Sequence, residues 1–275
     1  SPAPAGWQGP SRMKTIYLHI GANKAGSSAI QAFLVRNKEK LQQQGYHVLR
    51  QTHDNAHYYL SNAFGYGPHL KGVDKERAIN ETISEIESSG CKNTIISSEY
   101  FILSKSPQKI RKAFASYNVK IVIYLRRHDL WFESLYKQAV KTVPRVEWEK
   151  GIDGYIKYVE QKKSQELSYK KLIMLWEEAF GKENLIIRPY EKESFRSGSL
   201  NRDFATVIGA NDGPLEDSGH VVNKSFPVQY VDIYENMKRH EKLKPEELLN
   251  VMKWMLKQED DKRYSLFDDI QRQDI

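Results

Sequence analysis

The feature that most constrains the fold is an alternation of short apolar runs with longer amphipathic stretches, beginning at residue 14. The apolar runs have strand length, and they cover residues 15–20, 46–49, 94–98, 119–125 and 184–188. Strands that are almost continuously apolar are covered on both faces. Strands separated by helices form parallel sheets. The sequence therefore predicts an α/β protein with three layers, a central parallel sheet flanked by helices, and a mainly helical C-terminal region.

Length and composition predict one domain. The chain has 275 residues, and neither an internal repeat nor a low-complexity linker divides it, so residues 13–275 are expected to form a single domain. Residues 1–12 carry three prolines and precede Met13, and we interpret them as a tag or a leader-like extension. The apolar runs are far shorter than the roughly 20 residues that span a bilayer. The single cysteine, Cys91, fits a reducing compartment, so we expect a cytoplasmic protein without stable membrane insertion.

The charge balance favours an anionic partner without identifying it. The 42 Lys and Arg residues exceed the 35 Asp and Glu residues, which gives a net charge of +7 and a pI of about 9.1. Nucleotides, polyanionic glycans, nucleic acids and lipid headgroups all fit this balance. A solvated basic surface fits equally well, because the cations are spread along the chain.

The most informative segment is GANKAGSS, residues 21–28, which lies where the first strand passes into a helix predicted over residues 27–44. Gly21 and Gly26 permit tight turns, and the amides at the start of the helix favour an anion. The pattern therefore predicts a phosphate cradle. It differs from the nucleoside-triphosphate loop G-x-x-x-x-G-K-[ST], because Ser27 follows Gly26 and the lysine comes earlier, as Lys24. An ordinary glycine-containing turn with a surface lysine is the alternative.

A second segment has the same order of strand, charge and helix. Residues 121–125 lead into Arg126, and Ser134 follows eight positions after that arginine on the next predicted helix. Both side chains can converge on one phosphate at the carboxyl edge of the sheet. The alternative is that Arg126 pairs with a local acid and Ser134 faces solvent.

Together the two segments resemble the sulfotransferases that use 3′-phosphoadenosine-5′-phosphosulfate (PAPS), which have a P-loop-like fold. The family's loop K-[TAG]-G-[TS]-[TS] is matched by Lys24, Ala25, Gly26, Ser27 and Ser28. Its later L-R with a serine eight residues on is matched by Leu125, Arg126 and Ser134. The segment LWFESLYKQAV and residues 188–195, 203–209 and 223–225 resemble the bacterial, carbohydrate-type branch, so the resemblance covers residues 14–230. The more usual loop sequence T-G-T-T is replaced by Ala-Gly-Ser-Ser, which keeps the hydroxyls.

The resemblance implies PAPS as the sulfuryl donor, 3′-phosphoadenosine-5′-phosphate (PAP) as the product, and no required metal. It assigns Lys24 to the bridging and sulfuryl oxygens, where negative charge develops and a positioned ammonium stabilises it. It assigns Ser27 and Ser28, with the loop around Ala25 and Gly26, to the 5′-phosphate, and Arg126 and Ser134 to the 3′-phosphate.

Two further cofactor contacts are implied by the resemblance. Tyr190 is expected near the adenine. Asn223, Lys224 and Ser225 are expected to close over the cofactor as a loop, and an ordinary surface loop is the alternative.

Transfer to an acceptor hydroxyl requires a general base. Glu99 is the first candidate, because it follows the run 94–98 at its carboxyl end and several branches of the family have the base there. A structural carboxylate paired with Lys or Arg is the alternative. His57 is the second candidate and His53 the third, because other branches place the base after the second strand and histidine titrates near neutrality.

The segment His53–His57 also resembles the zinc motif H-E-x-x-H, but Asp54 stands in place of the glutamate and no third ligand is recognisable, so we expect no metal site. Aromatic residues follow directly and are candidates either for stacking on sugar rings or for core packing: Tyr58, Tyr59, Phe64 and Tyr66.

The sequence therefore predicts a PAPS-dependent sulfotransferase that acts by in-line transfer on a hydroxyl of a carbohydrate or glycan. A small-molecule natural product, sulfated on oxygen or nitrogen, is the alternative acceptor. A P-loop kinase and a nucleic-acid-binding protein are more distant alternatives, and we expect no nucleic-acid partner.

Overall fold

The computed structural model describes residues 13–50, 56–67, 73–163, 168–217, 226–240, 243–258 and 266. Within them, five strands form one sheet in the order β2-β3-β1-β4-β5, and every pairing is parallel. The strands are β1 Thr15–His19, β2 Tyr46–Val48, β3 Asn93–Ser97, β4 Asn118–Leu125 and β5 Leu185–Pro189. The predicted parallel sheet and its five strands are confirmed.

Helices occupy most of the chain between and after the strands. The α-helices in the described ranges are α1 Ser27–Arg36, α2 Lys38–Gln43, α3 Tyr58–Ala63, α4 Lys75–Ser88, α5 Gln108–Ala113, α6 His128–Thr142, α7 Gly151–Lys163, α8 Tyr169–Phe180, α9 Leu200–Val207, α10 Val231–Arg239 and α11 Pro245–Met255. Among them, none combines the length and apolarity that a bilayer crossing requires.

The sheet is covered on both faces, as its apolar runs require. Successive side chains of a strand point to opposite faces. In β4, Ile121 and Ile123 belong to a core with residues of α3, α4, α5 and α8, whereas Val122 and Tyr124 belong to a second core with residues of α1, α2 and α9. The predicted three layers are therefore confirmed.

The helix predicted over residues 27–44 is divided in two at Asn37, so that prediction is wrong. Asn37 is fully buried, and its side-chain amide donates to the carbonyl of Phe33 at 3.0 Å and to that of Glu216 at 2.9 Å. Its side-chain oxygen accepts from the Glu216 amide at 2.7 Å. A side chain that bonds the backbone in this way competes with the helical ladder.

A third core lies outside the sheet, between α6, α7, α10 and α11. Its polar centre is Glu235, which is fully buried and accepts from the Tyr136 hydroxyl at 2.9 Å, the Trp148 indole at 2.7 Å and the Arg239 guanidinium at 2.7 Å. A buried carboxylate is tolerated when its oxygens are satisfied in this way. The prediction of a helical C-terminal region is confirmed for the described residues.

The end of α6 is closed by a lysine from α10. Lys238 Nζ donates to the carbonyls of Val140 at 2.7 Å and Val143 at 2.5 Å, and lies 3.5 Å from that of Lys141. Burial lowers the pKa of Lys238 to about 8. The ammonium satisfies carbonyls that a helix end otherwise leaves without a partner.

A histidine is buried at the carboxyl end of β1. His19 has no exposed surface, its Nδ1 lies 2.8 Å from Ser97 Oγ, and its ring packs edge-on against Tyr124 and Phe204. Burial lowers its pKa to about 3.

We predict that His19 makes the protein sensitive to acid. Because the folded pKa lies below the unfolded value, the unfolded chain takes up the proton first, and stability is lost as the pH falls from about 6.5 towards 3. At about pH 4.5 this loss amounts to about 2 to 3 kcal/mol. The measurement is the free energy of unfolding in urea, near pH 7 and near pH 4.5, for the parent protein and for His19→Asn, which keeps every other titrating group. The prediction is wrong if both proteins lose the same stability on acidification.

Candidate active site

The loop between β1 and α1 is tightly curled. Three of its residues have positive φ: Gly21 at 66°, Lys24 at 67° and Gly26 at 84°. The amide of Ala25 also donates to the carbonyl of Ala22 at 3.1 Å. A lysine in the left-handed region carries strain of roughly 1 kcal/mol or more, which folded proteins retain mainly at functional positions. The loop thereby places the N-terminus of α1 at the carboxyl edge of the sheet.

The first turn of α1 can receive an anion. Gly26 is its N-cap and provides no capping side chain, and the first turn contains no acidic residue. Ser28 is exposed at this end, whereas Ser27 is buried and its hydroxyl donates to the carbonyl of Ala22 at 3.3 Å. Ser27 therefore offers its backbone amide to a ligand, and Ser28 offers both amide and hydroxyl.

Lys24 is held by a residue of α6. Its Nζ donates to Gln138 Oε1 at 3.0 Å. The pKa of Lys24 lies below its ordinary value, first because the side chain is partly buried and then because Lys141 and Arg126 repel its charge. The ammonium therefore lies among other cations, and a bound anion would relieve the repulsion.

Arg126 joins the second predicted segment to the first. It follows β4 directly, and its Nη1 donates to the carbonyl of Lys24 at 3.2 Å. The backbone of Arg126 is held by the Tyr169 hydroxyl, which donates to its carbonyl at 2.6 Å. The two segments, 102 positions apart in sequence, thus meet at one point of the sheet edge.

Tyr190 covers this meeting point. It follows β5, and the guanidinium carbon of Arg126 lies 5.7 Å from the centre of its ring. On the other side the ring reaches the loop, since a Cβ built on Gly26 would lie 2.7 Å from Tyr190 Cε2. Only glycine permits this approach at position 26.

One face of α6 lies along the loop. Trp131, Ser134, Gln138 and Lys141 are spaced by three, four and three positions, which places them on one side of a helix. The indole of Trp131 donates to the carbonyl of Asn23 at 2.8 Å, and Gln138 accepts from Lys24. Ser134 is half-buried between these two contacts along the helix.

Three cations near this edge form no ion pair within the part of the chain that the structure describes. Of the ion pairs within the described residues, none involves Lys24, Arg126 or Lys141. By contrast, the neighbouring Arg127 forms two bonds of 2.7 Å with Asp129. A group of cations that no carboxylate of the described residues neutralises favours an anionic ligand.

Glu99 lies beside the loop, at the carboxyl end of β3. A Cβ built on Gly21 would lie 2.7 Å from the Cα of Glu99, so the two backbones are in close contact. Both oxygens of the carboxylate accept hydrogen bonds: Oε1 from the Tyr58 hydroxyl at 2.6 Å and Oε2 from Gln31 Nε2 at 2.9 Å. Both partners are neutral, and no lysine or arginine of the described ranges forms an ion pair with Glu99, so these two bonds orient the carboxylate.

His57 has a different environment. It is buried, the Ser97 amide donates to its Nδ1 at 2.8 Å, and its Nε2 lies 2.8 Å from the carbonyl of Leu49. This pattern assigns the proton to Nε2. Burial, as the largest cause, lowers its pKa. Both nitrogens are therefore occupied by backbone groups, and His57 connects the segment after β2 to β3.

Four residues expected at the site lie outside the described residues: His53, Asn223, Lys224 and Ser225. The resemblance to zinc motifs through His53 is untested for the same reason, but the occupied nitrogens of His57 leave it no free lone pair for a metal.

Two other landmarks of the sequence bind each other. Arg188 Nη2 donates to Asp203 Oδ1 at 2.7 Å, and the Tyr124 hydroxyl donates to Asp203 Oδ2 at 2.8 Å. Asp203 is buried, and this network fixes β5 and α9 to the sheet. These bonds hold β5 and α9 next to the carboxyl edge of β4, where Arg126 follows.

Sequence reasoning missed one cation beside Lys24, which is Lys141, and four residues that bind the site by hydrogen bonds: Gln31, Trp131, Gln138 and Tyr169. For three of them a signal was present, because Trp131, Gln138 and Lys141 share a helical face with Ser134. Of the aromatic residues after His57, Phe64 packs against Phe101 and Phe114 in the core, whereas Tyr58 contacts Glu99.

A cleft of about 530 Å³ lies at the opposite edge of the sheet. It is lined at the amino ends of β1 and β4 by Thr15, Asn118 and Val119, together with Lys92 and Arg111. Ligands of parallel α/β folds bind at the carboxyl ends of the strands. We therefore assign the site to the carboxyl edge of the sheet, the loop edge, where the loop between β1 and α1 lies.

We predict that Gly21 is needed for the contact between the loop and Glu99. Gly21→Ala adds a Cβ within 2.8 Å of Ser27 Oγ and 2.7 Å of the Glu99 backbone, and also strains φ. Gly90→Ala is the matched control, because φ is 68° and its Cβ would meet nothing within 4 Å. Chemical denaturation should show a loss of about 1 to 2 kcal/mol for Gly90→Ala and of at least about 1 kcal/mol more for Gly21→Ala. Equal losses would contradict the close packing.

Comparison with known proteins places this arrangement in a known fold. No family model matches the chain. An uncharacterized protein from Archaeoglobus fulgidus is 28% identical over 164 residues, which are 59% of this chain and 43% of that protein, so the chain spans less than half of that relative's length. The mouse sulfotransferase SULT7A1, solved with PAP, has a TM-score of 0.41 at 12% identity over 86% of this chain and 70% of that one. The sulfotransferase from Alicyclobacillus acidocaldarius has a TM-score of 0.50 at 15% identity, covering 75% of this chain and 85% of that chain. The chain thus has a P-loop-like α/β fold similar to that of the Alicyclobacillus sulfotransferase.

Proposed function

We propose that this chain is a sulfotransferase that moves a sulfuryl group from PAPS to a hydroxyl of a carbohydrate acceptor. The observation that carries the proposal is the hydrogen bond from Arg126 to the carbonyl of Lys24, since it unites two anion-binding segments in one place. The similarity of fold to the Alicyclobacillus sulfotransferase supports it.

The residues at the edge fit a bisphosphorylated nucleotide. The uncapped N-terminus of α1 suits a 5′-phosphate, and Arg126, which forms no ion pair within the described residues, suits a 3′-phosphate together with Ser134 of α6. The same residues do not suit the triphosphate of a P-loop kinase, because position 27 holds a serine whose hydroxyl is directed into the loop.

In this proposal, Ser28 and the amides of Gly26 and Ser27 hold the 5′-phosphate, while the bond from the Ala25 amide to Ala22 keeps the loop curled around it. Arg126 and Ser134 hold the 3′-phosphate, and the ring of Tyr190 contacts the adenine. Bound PAPS supplies the sulfuryl group and a nucleotide phosphate as leaving group. Lys24, directed by Gln138, stabilises the negative charge that develops at the leaving oxygen. The residues of the site provide this stabilisation by positioned charge, so the proposal requires no metal.

Glu99 is the proposed base. Its carboxylate is fixed by two neutral donors beside the loop, and an ionised carboxylate retains lone pairs to accept the proton of an acceptor hydroxyl. The burial of His57 and its backbone bonds favour Glu99 over His57, because a base must reach its substrate. His53 remains the third candidate.

The aromatic residues beside Glu99 support a sugar as acceptor. Tyr58 and Tyr100 pack edge-on with ring centres 5.0 Å apart, next to the carboxylate that Tyr58 binds. Aromatic faces are common stacking surfaces for apolar faces of ligands. The resemblance of the α6 segment to the carbohydrate-type branch points the same way, and a small-molecule acceptor would use the same donor pocket.

We predict that PAP raises the melting temperature of the parent protein. A ligand at a hundred times its Kd stabilises the native state by about 2.7 kcal/mol. Lys24→Ala and Arg126→Ala should each weaken PAP binding at least about tenfold, since each removes a charge from the pocket. Arg127→Ala, which removes an arginine already paired with Asp129, is the control and should bind PAP normally.

Thermal shift with PAP and with ATP plus magnesium is the measurement. An unchanged melting temperature at saturating PAP would overturn the donor assignment, and stabilisation by ATP with magnesium alone would point to a kinase.

We predict that Glu99→Gln retains PAP binding and loses transfer by at least about a hundredfold, because the amide cannot accept the proton. Tyr58→Phe should reduce the rate by less, since it removes one bond to the carboxylate and leaves the base. The assay follows PAP formation from PAPS with a mixture of oligosaccharide acceptors. A nearly full rate in Glu99→Gln would move the role of base to a histidine.

A further inference from the structure

Lys141 occupies a defined place relative to the proposed donor pocket. On the face of α6 that lies along the loop, Ser134 comes first, Gln138 binds Lys24, and Lys141 follows. At 1.5 Å per residue, Gln138 lies about 6 Å along the helix from Ser134, and Lys141 about 4.5 Å further. Arg126 precedes the first residue of α6. Along the helix axis, Lys141 therefore lies further from Arg126 than Gln138, the residue that binds Lys24.

The backbone of Lys141 is fixed from outside α6. Lys238 bonds the carbonyls of Val140 and Val143 and lies 3.5 Å from that of Lys141. Basic residues in the last turn of a helix often interact with its terminal carbonyls. Here the ammonium of Lys238 already does so, which leaves the side chain of Lys141 for another partner.

The charges around Lys141 point to an anion. Lys141 acts on Lys24 by like-charge repulsion, and in the described part of the chain it forms no ion pair with a carboxylate. By contrast, Lys137 on the same helix pairs with Glu133 at 3.1 Å, four residues before it.

Resting on the proposed function, we infer that Lys141 contacts the sulfuryl oxygens of bound PAPS as a second lysine of the transfer site. The order of groups along α6 matches their order along the donor: Ser134 with Arg126 at the 3′-phosphate, Lys24 at the bridging oxygen, and Lys141 at the sulfuryl end. Two ammonium groups then hold the sulfuryl group from the side of the loop and from the side of α6.

The test compares PAP, which lacks the sulfuryl group, with PAPS, which carries it. Both are titrated by calorimetry, without an acceptor, into the parent protein, Lys141→Gln and Lys141→Arg. Lys112→Gln removes the same charge from the exposed surface of α5 and serves as the control. We expect Lys141→Gln to weaken PAPS about tenfold and PAP less than twofold. Lys141→Arg and the control should keep the affinities of the parent for both nucleotides.

The other outcomes separate the two proposals. Loss of PAP and PAPS affinity to the same extent in Lys141→Gln would place Lys141 at a phosphate and overturn the inference. Unchanged affinity for both would also overturn it. A parent protein that binds neither nucleotide would instead refute the proposed function itself.

Discussion

The bond between the Arg126 guanidinium and the Lys24 carbonyl brings together like charges that would separate in a free chain. The sheet makes the contact possible, because β1 and β4 are adjacent and parallel, with His19 beside Val122, and their carboxyl ends meet at one edge. The neutral groups of Gln138 and Tyr169 then hold the lysine and the arginine in place. A bound anion would relieve the like-charge repulsion that remains around Lys24, and the fold, not attraction between these groups, holds them together.

The alternation of apolar and amphipathic segments was sufficient to predict the fold. Each strand is covered on both faces, so its apolar residues form a continuous run, and the helices between strands require parallel pairing. The placement of Lys24, Glu99 and Arg126 at one edge followed from the same rule, because all three come at the ends of strands. The division of the helix at Asn37 did not follow, because it depends on Glu216, a partner remote in sequence.

The environment of each side chain was much less predictable. His57 and Glu99 both come after strands and both suit a general base by type. Only the three-dimensional arrangement buries the histidine between Leu49 and Ser97 and gives the glutamate two neutral donors. Likewise, the inward hydroxyl of Ser27 depends on the curl of the loop. A local pattern specifies which residue types are present, whereas burial and partners depend on tertiary contacts.

The helix α6 belongs both to the loop edge and to the helical C-terminal region. On one side it holds Asn23 and Lys24 through Trp131 and Gln138. On the other side, α10 contacts it at two points. Lys238 binds the carbonyl of Val140 near the end of α6, 98 positions earlier in the chain, and Glu235 accepts a hydrogen bond from Tyr136. The helix α6 therefore connects the loop after β1 to α10. Substitutions in α10 that loosen either contact are therefore expected to disturb the position of Gln138 and, through it, that of Lys24.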